Sequence, residues 1–182
     1  MKHQRISHFL AAFLLSAGGF AVVVGGWYIL RPNPKPAPIP IHTFTAADVI
    51  EIVNLQREGE GLNALHIDNS LTKAAELKAL DMDKRDYFAH HLGDEDTFQF
   101  LDIAGYKYIS AGENLAICFN DTKELIQAWM LSPGHRTNIT RASWEDTGVA
   151  VLDTHIHGES CLLVVQEFGK PNPHPLDREP LQ

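Results

Sequence analysis

Between Phe9 and Leu30 the chain carries no Asp, Glu, Lys or Arg. This run, FLAAFLLSAGGFAVVVGGWYIL, is 22 residues long. A helix rises about 1.5 Å per residue and a bilayer core is about 30 Å thick, so the run can span a membrane. It is apolar on every face, unlike the one-sided stripe of a surface helix. Lys2 and Arg5 precede it, and Trp27 and Tyr28 stand near its far end, where an aromatic belt would lie. A cleaved signal peptide has a shorter apolar core and a small-x-small cleavage site. The length therefore favours an uncleaved anchor over a signal peptide. Residues 1–8 are expected as a short cytoplasmic N-terminus and 9–30 as a transmembrane signal-anchor helix. The flanking basic residues tie, Lys2 and Arg5 against Arg31 and Lys35, and the terminal amine tips the balance inward. The expectation is a single-pass protein with its C-terminal domain outside, at the cell surface or in the periplasm.

Residues 31–42 open with RPNPKPAPIP, which holds five prolines. Such a segment is extended and semi-rigid, a linker. A second Pro-rich stretch, 170–182, has no apolar period and reads as a disordered tail. The folded part is then 43–169, long enough to bury its own core. All 23 acidic residues lie at or beyond Asp48. Without Lys2, Arg5, Arg31 and Lys35, 11 Lys and Arg face 23 Asp and Glu, a formal charge of −12. A domain of that charge does not seek nucleic acid or an anionic membrane surface. Cys118 and Cys161 are the two cysteines, and an outside location allows a disulfide between them.

Within 43–169 helical spacing comes first. Thr45 and Asp48 form a capping-box-like pair before Val49, Ile52 and Val53, and Gly59 and Gly61 close that helix. A second helix is expected over about 70–84, its stripe made of Leu71, Ala74, Ala75, Leu77, Ala79 and Met82. A short one near 97–104 ends at Gly105, and another starts at Asp121 with Glu124 three residues on. Strands are expected at 114–119, 147–152 and 161–168, the last two joined by a polar loop. Helices first and strands late predict an α+β arrangement with an antiparallel sheet.

Chemistry-bearing side chains cluster at element ends, where sites collect. His90 and His91 follow a helix, Glu113 stands at the mouth of a strand, and His135 follows Ser132-Pro133-Gly134. Two imidazoles and a carboxylate, with water, suffice for zinc, although their spacing matches no short metal motif. Alternate side chains of an extended loop point apart, so His90 and His91 do not both serve. Ser132 reads as a turn residue more readily than as a nucleophile. His155 and His157 read as a solvated hairpin, and Arg136 as an anchor for its loop.

Several segments in this order resemble the CAP superfamily, the SCP-domain proteins, in its compact bacterial form. They are Asn54 and Arg57, Leu65 and Asp68, Gly105-Tyr106, the run Gly112-Glu113-Asn114-Leu115-Ala116, and Trp129-x-x-Ser132-Pro133-Gly134-His135-Arg136-x-Asn138-Ile139. The resemblance covers about 45–169. It implies a three-layer α-β-α sandwich with a mainly antiparallel central sheet, preceded here by the expected transmembrane helix. It also implies a cleft that gathers two His and two Glu. His90 and His135 match the histidines and Glu113 matches one Glu. Ser132 stands at the other Glu position, so the tetrad is incomplete. The resemblance thus implies His90, His135 and Glu113, the last directly or through water, as holders of a divalent metal such as zinc. Three functions compete: a binding module for a lipid, an envelope glycan or a protein; a metal-dependent peptidase or cell-wall hydrolase with Glu113 as general base; and a structural surface protein. The incomplete tetrad ranks the binding module first.

Overall fold

The computed structural model describes residues 21–24, 27–30 and 44–172. Strands β1 (Ala21–Val24) and β2 (Trp27–Leu30) pair antiparallel, Val22 opposite Ile29 and Val23 opposite Tyr28. They belong to a compact unit separate from the rest. Over these residues the backbone is extended, not helical as expected. The local sequence supplies the reason: three successive valines, a Gly-Gly pair and Trp-Tyr-Ile carry strand and turn preferences. The remainder of the expected spanning helix, 9–20, lies outside the described residues, as do the linker 31–42 and the tail beyond 172. Among the described residues no helix is long and apolar enough to cross a membrane.

The second unit starts with α1 (Ala46–Gly59). Its capping box is formed on both sides: Thr45 N–H donates to Asp48 Oδ2 at 2.7 Å, and Asp48 N–H to Thr45 Oγ1 at 3.3 Å. A two-residue strand β3 (His66–Ile67) leads to α2 (Asn69–Arg85), capped by Asp68, whose carboxylate accepts from Ser70 and Leu71 N–H. A short α3 (Gln99–Ala104) ends at Gly105, whose φ of 83° suits glycine. Then follow β4 (Tyr108–Ile117), α4 (Thr122–Leu131), α5 (Pro133–Ile139), β5 (Asp146–Ile156) and β6 (Glu159–Pro171).

The four strands of this unit run in the order β3-β5-β6-β4. The three long strands are antiparallel, and β3 joins β5 in parallel. Strand period two then divides the side chains between two faces. Leu115, Ala150, Leu163 and Val165 pack with Ala75, Ala79 and Met82 of α2. Ala116, Val149, Leu162, Val164 and Phe168 pack with Val49 and Val53 of α1, Leu125 and Trp129 of α4 and Ile139 of α5. Helices thus cover both faces of a mixed sheet, with β4 at one edge.

Three local features differ from expectation. Strand β4 begins at Tyr108, six residues before the expected start, because Ser110, Ala111 and Gly112 pair with Lys170, Gly169 and Phe168 despite weak strand preference. The polar segment 153–160 is mostly strand. Its turn is His157-Gly158, both with positive φ, 53° and 81°, the geometry that two-residue hairpins need. The turn and cap expected at Ser132-Pro133-Gly134 opens a further helix, α5, with Ser132 at its N-cap position; Pro133 sits at the first helical positions, where a missing N–H costs little. Cys118, just past β4, and Cys161 on β6 form a disulfide.

Candidate functional site

The candidate residues gather at the edge strand β4, where His90 approaches from the α2 side and His135 from α5. Arg57 fixes α5. Its fully buried guanidinium donates from Nε to Asn63 O at 2.9 Å and from Nη1 to Ile139 O at 2.8 Å and Arg141 O at 3.0 Å. Arg57 therefore has the anchoring role expected of Arg136, which is exposed. Asn54 ties the same helix to residue 65: Leu65 N–H donates to Asn54 Oδ1 at 2.8 Å. Asn138 and Trp129 close the outer edge of β4, donating to Glu113 O at 2.9 Å and Leu115 O at 3.0 Å.

Glu113 projects from β4 toward α2, and its side chain is 1% exposed. Its Oε1 meets Nδ1 of His90 at 2.6 Å, while the His90 side chain is half exposed. A carboxylate can only accept, so the proton of this bond sits on Nδ1 and leaves Nε2 as the ring's basic nitrogen. His91 turns away: its Nδ1 meets Gly93 O at 2.9 Å. His135 is half-buried, with its ring centroid 6.1 Å from that of Trp129. Its backbone carbonyl accepts from Asn114 Nδ2 at 3.2 Å. Burial first, and then proximity to His90, pushes the His135 imidazole below its usual pKa and favours the neutral ring. Ser132 is the joint between α4 and α5, with no side-chain cap bond. His155 and Ser160 face each other at 2.7 Å on the exposed hairpin, remote in sequence from the cleft residues.

Beneath the cleft lie two buried charged residues that sequence reasoning misses. Glu167 on β6 stands directly opposite Glu113 and is 1% exposed. Burial, and next the charge of Glu113, holds its carboxyl far above the ordinary range. Oε2 of each glutamate is buried without an N–H or hydroxyl donor; a proton retained on Glu167 supplies the donor the pair lacks. Lys78 of α2 is also 1% exposed, and the charge of Glu113 is among those that act on it. Both residues carry a sequence signal. Lys78 falls on the apolar stripe of α2, four residues after Ala74 and four before Met82. Glu167 shares strand parity with Leu163 and Val165.

Among the described residues no three His, Cys, Asp or Glu side chains are disposed to hold a metal ion. His90 and His135 are close enough for one ring's charge to act on the other, and Glu113 stands behind the His90 ring. An apolar cavity of about 450 Å³ lies apart from these residues, between α1 and α4, with Ile52, Leu55, Ile126 and Met130 in its wall.

Residues 50–168 match the cysteine-rich secretory protein family, CAP. Uncharacterized protein YkwD of Bacillus subtilis is 36% identical over 107 residues, covering 58% of this chain and 42% of the relative. Uncharacterized membrane protein YlbC of the same organism is 26% identical over 112 residues, 61% of this chain and 32% of its own. The chain thus spans less than half the length of these relatives. An extracellular SCP-domain protein from Bacillus anthracis superposes with a TM-score of 0.62 at 23% identity, covering 79% of this chain and 47% of its own. An outer surface protein from Borrelia burgdorferi does so at 0.60 and 23% identity, covering 68% and 90%. At such identity the two structures speak for the fold alone.

Proposed function

Because the chain belongs to the cysteine-rich secretory protein (CAP) family, we propose that it is an extracytoplasmic binding module whose His90–His135 cleft takes a divalent cation such as zinc. The charge-free run 9–30 would hold the module at a membrane through its apolar side chains. The observation that carries the reading is the 2.6 Å contact of His90 Nδ1 with buried Glu113. A carboxylate behind a histidine fixes the ring and raises its basicity, which is how ligating histidines are prepared for a metal. His90 and His135 would be the protein ligands, with solvent or a bound molecule completing the set. Glu113 then acts behind the metal and not on it.

The same contact weighs against the hydrolase. A general base must reach the water it activates, and Glu113 is covered and engaged by His90. Among the ligand classes open to a binding module, the α1–α4 cavity supports one with an apolar part, a lipid in preference to a glycan.

Calorimetric titration of the full chain with zinc tests the cleft. Wild type should bind and His90→Ala/His135→Ala should not; equal heats from the two would sink the metal reading. Peptide and peptidoglycan turnover by wild type and Glu113→Gln should be equally absent. Mass spectrometry of organic extracts from the purified chain should show a co-purified lipid.

A further inference from the structure

Two of the three charged groups under the cleft have no part in metal binding as proposed, and Lys78 makes the more specific contacts. It belongs to α2, on a face otherwise made of Leu71, Ala74, Ala75, Ala79 and Met82. Its ammonium does not snorkel to solvent, as an exposed lysine would. Nζ donates to the carbonyl oxygen of His90 at 2.7 Å and lies 3.4 Å from Tyr87 Oη, 5.2 Å from the Tyr87 ring centroid and 5.9 Å from that of Phe100. Tyr87 in turn donates to Asp81 Oδ2 at 2.7 Å. The charge of Lys78 is felt by Glu113 and Glu167, the register pair of β4 and β6.

An ammonium taken out of water is costly unless its protons find acceptors, and this one has the His90 carbonyl, the Tyr87 hydroxyl and two ring faces. Its placement couples two features that the cleft needs together. The segment after α2 that carries His90 contains no helix or strand until α3. Lys78 fixes the main chain of that segment at residue 90. The ring of the same residue is held by Glu113. Removing Lys78 would free the backbone at residue 90 and let the ring drift from the buried carboxylate that holds it.

We propose that Lys78 is a positioning residue of the cleft: from within the α2–sheet interface it holds the His90 carbonyl, and by fixing that main chain it keeps the His90 ring against buried Glu113. The functional readout rests on the metal-binding reading; the structural readout does not.

The experiment uses the full chain labelled with ¹⁵N. Ring nitrogen NMR reports the His90 tautomer, and zinc calorimetry reports affinity. In Lys78→Met the Nδ1–H signature of His90 should be lost while the His135 ring signals stay. Zinc affinity should fall about 10- to 100-fold, the usual effect of losing a group that orients a ligand. If Lys78→Met fails to fold, Lys78→Met/Glu167→Gln removes a second buried ionisable group and leaves Glu113 an amide donor, and the same loss of the His90 signature is expected. A folded variant of either kind that keeps the His90 tautomer and the wild-type affinity overturns the proposal; a lowered melting temperature alone marks Lys78 as a mere counter-ion. If wild type itself takes no zinc, the binding reading fails, and the His90 tautomer still decides the role of Lys78.

Discussion

Neighbouring residues of β4 and β6 build two unlike surfaces. Toward α2, Glu113 opposes Glu167; one step along, toward α5, Asn114 opposes Gln166. The amide side is hydrogen-bonded without any proton to share, Gln166 Oε1 alone among its amide atoms being buried without a partner. Asn138 Nδ2 donates to Asn114 Oδ1 at 3.0 Å, Asn114 Nδ2 to His135 O at 3.2 Å, and Gln166 Nε2 to Thr147 Oγ1 at 3.2 Å. The acid side needs a retained proton and a buried ammonium. Each surface holds one histidine of the cleft, His135 over the amides and His90 over the acids. One ring is therefore placed by a network blind to pH, and the other by a network that depends on ionisation.

The largest effect should come from parting α2 from the sheet. A Cβ on Gly148 would meet Thr72 N at 2.1 Å and Leu71 C at 2.2 Å, main-chain atoms that no rotamer change moves. Gly148→Ala should cost about 3 kcal/mol in denaturant unfolding. It should also disturb the His90 ring while sparing His135. On the other surface a Cβ at Gly112 would meet Trp144 Cζ2 at 2.9 Å and Asn138 Oδ1 at 3.1 Å, side chains that can yield. Gly112→Ala should cost about 1 kcal/mol. Equal costs for the two glycines would show that the sheet's two faces are equally compliant.

Next in size is the amide side itself. Asn114→Ala removes one of the two acceptors of Asn138 Nδ2 and the side-chain donor to His135 O, both part-buried. The expected loss is about 2 kcal/mol. Because no member of that network titrates, the loss should be the same at pH 5 and pH 8. A loss that changes with pH would join the two surfaces into one system.

Legibility in the sequence follows the same division. The capping box at Thr45 and Asp48, the alanine stripe of α2 and the apolar strand run at 161–168 are local patterns, and each reappears in the structure. His90, Glu113 and His135 stand out only through resemblance to a family, since their spacing of tens of residues carries no local signal. The apposition of Glu113 and Glu167 is a fact of register between strands about fifty residues apart, and register is set by tertiary pairing. Lys78 escapes notice because its helical position belongs to the apolar stripe while its charge does not. The early part of β4 is illegible because Ser110, Ala111 and Gly112 favour strand little by themselves; pairing with β6 overrides that preference.

The smallest effect is the most diagnostic, because its sign is opposite to the others. Folding raises the carboxyl pKa of Glu167. A carboxyl with a raised folded pKa keeps its proton where the unfolded chain has already released it. Its contribution is fully favourable below the unfolded value of 4.5 and is lost progressively as pH rises from there toward the folded value. Glu167→Gln keeps the size and the donor of the protonated acid but cannot ionise. It should therefore be more stable than wild type at neutral pH, by about 1 kcal/mol, what a single pKa unit is worth. It should match wild type at pH 4, and its melting temperature should fall less steeply between pH 5 and pH 8. Melting curves across that range decide the matter. If the substitution destabilises equally at every pH, Glu167 is ionised in the folded protein and Lys78 pairs with two charges instead of one. In that event the acid side is an ion cluster, and Glu113 orients His90 with no proton shared behind it.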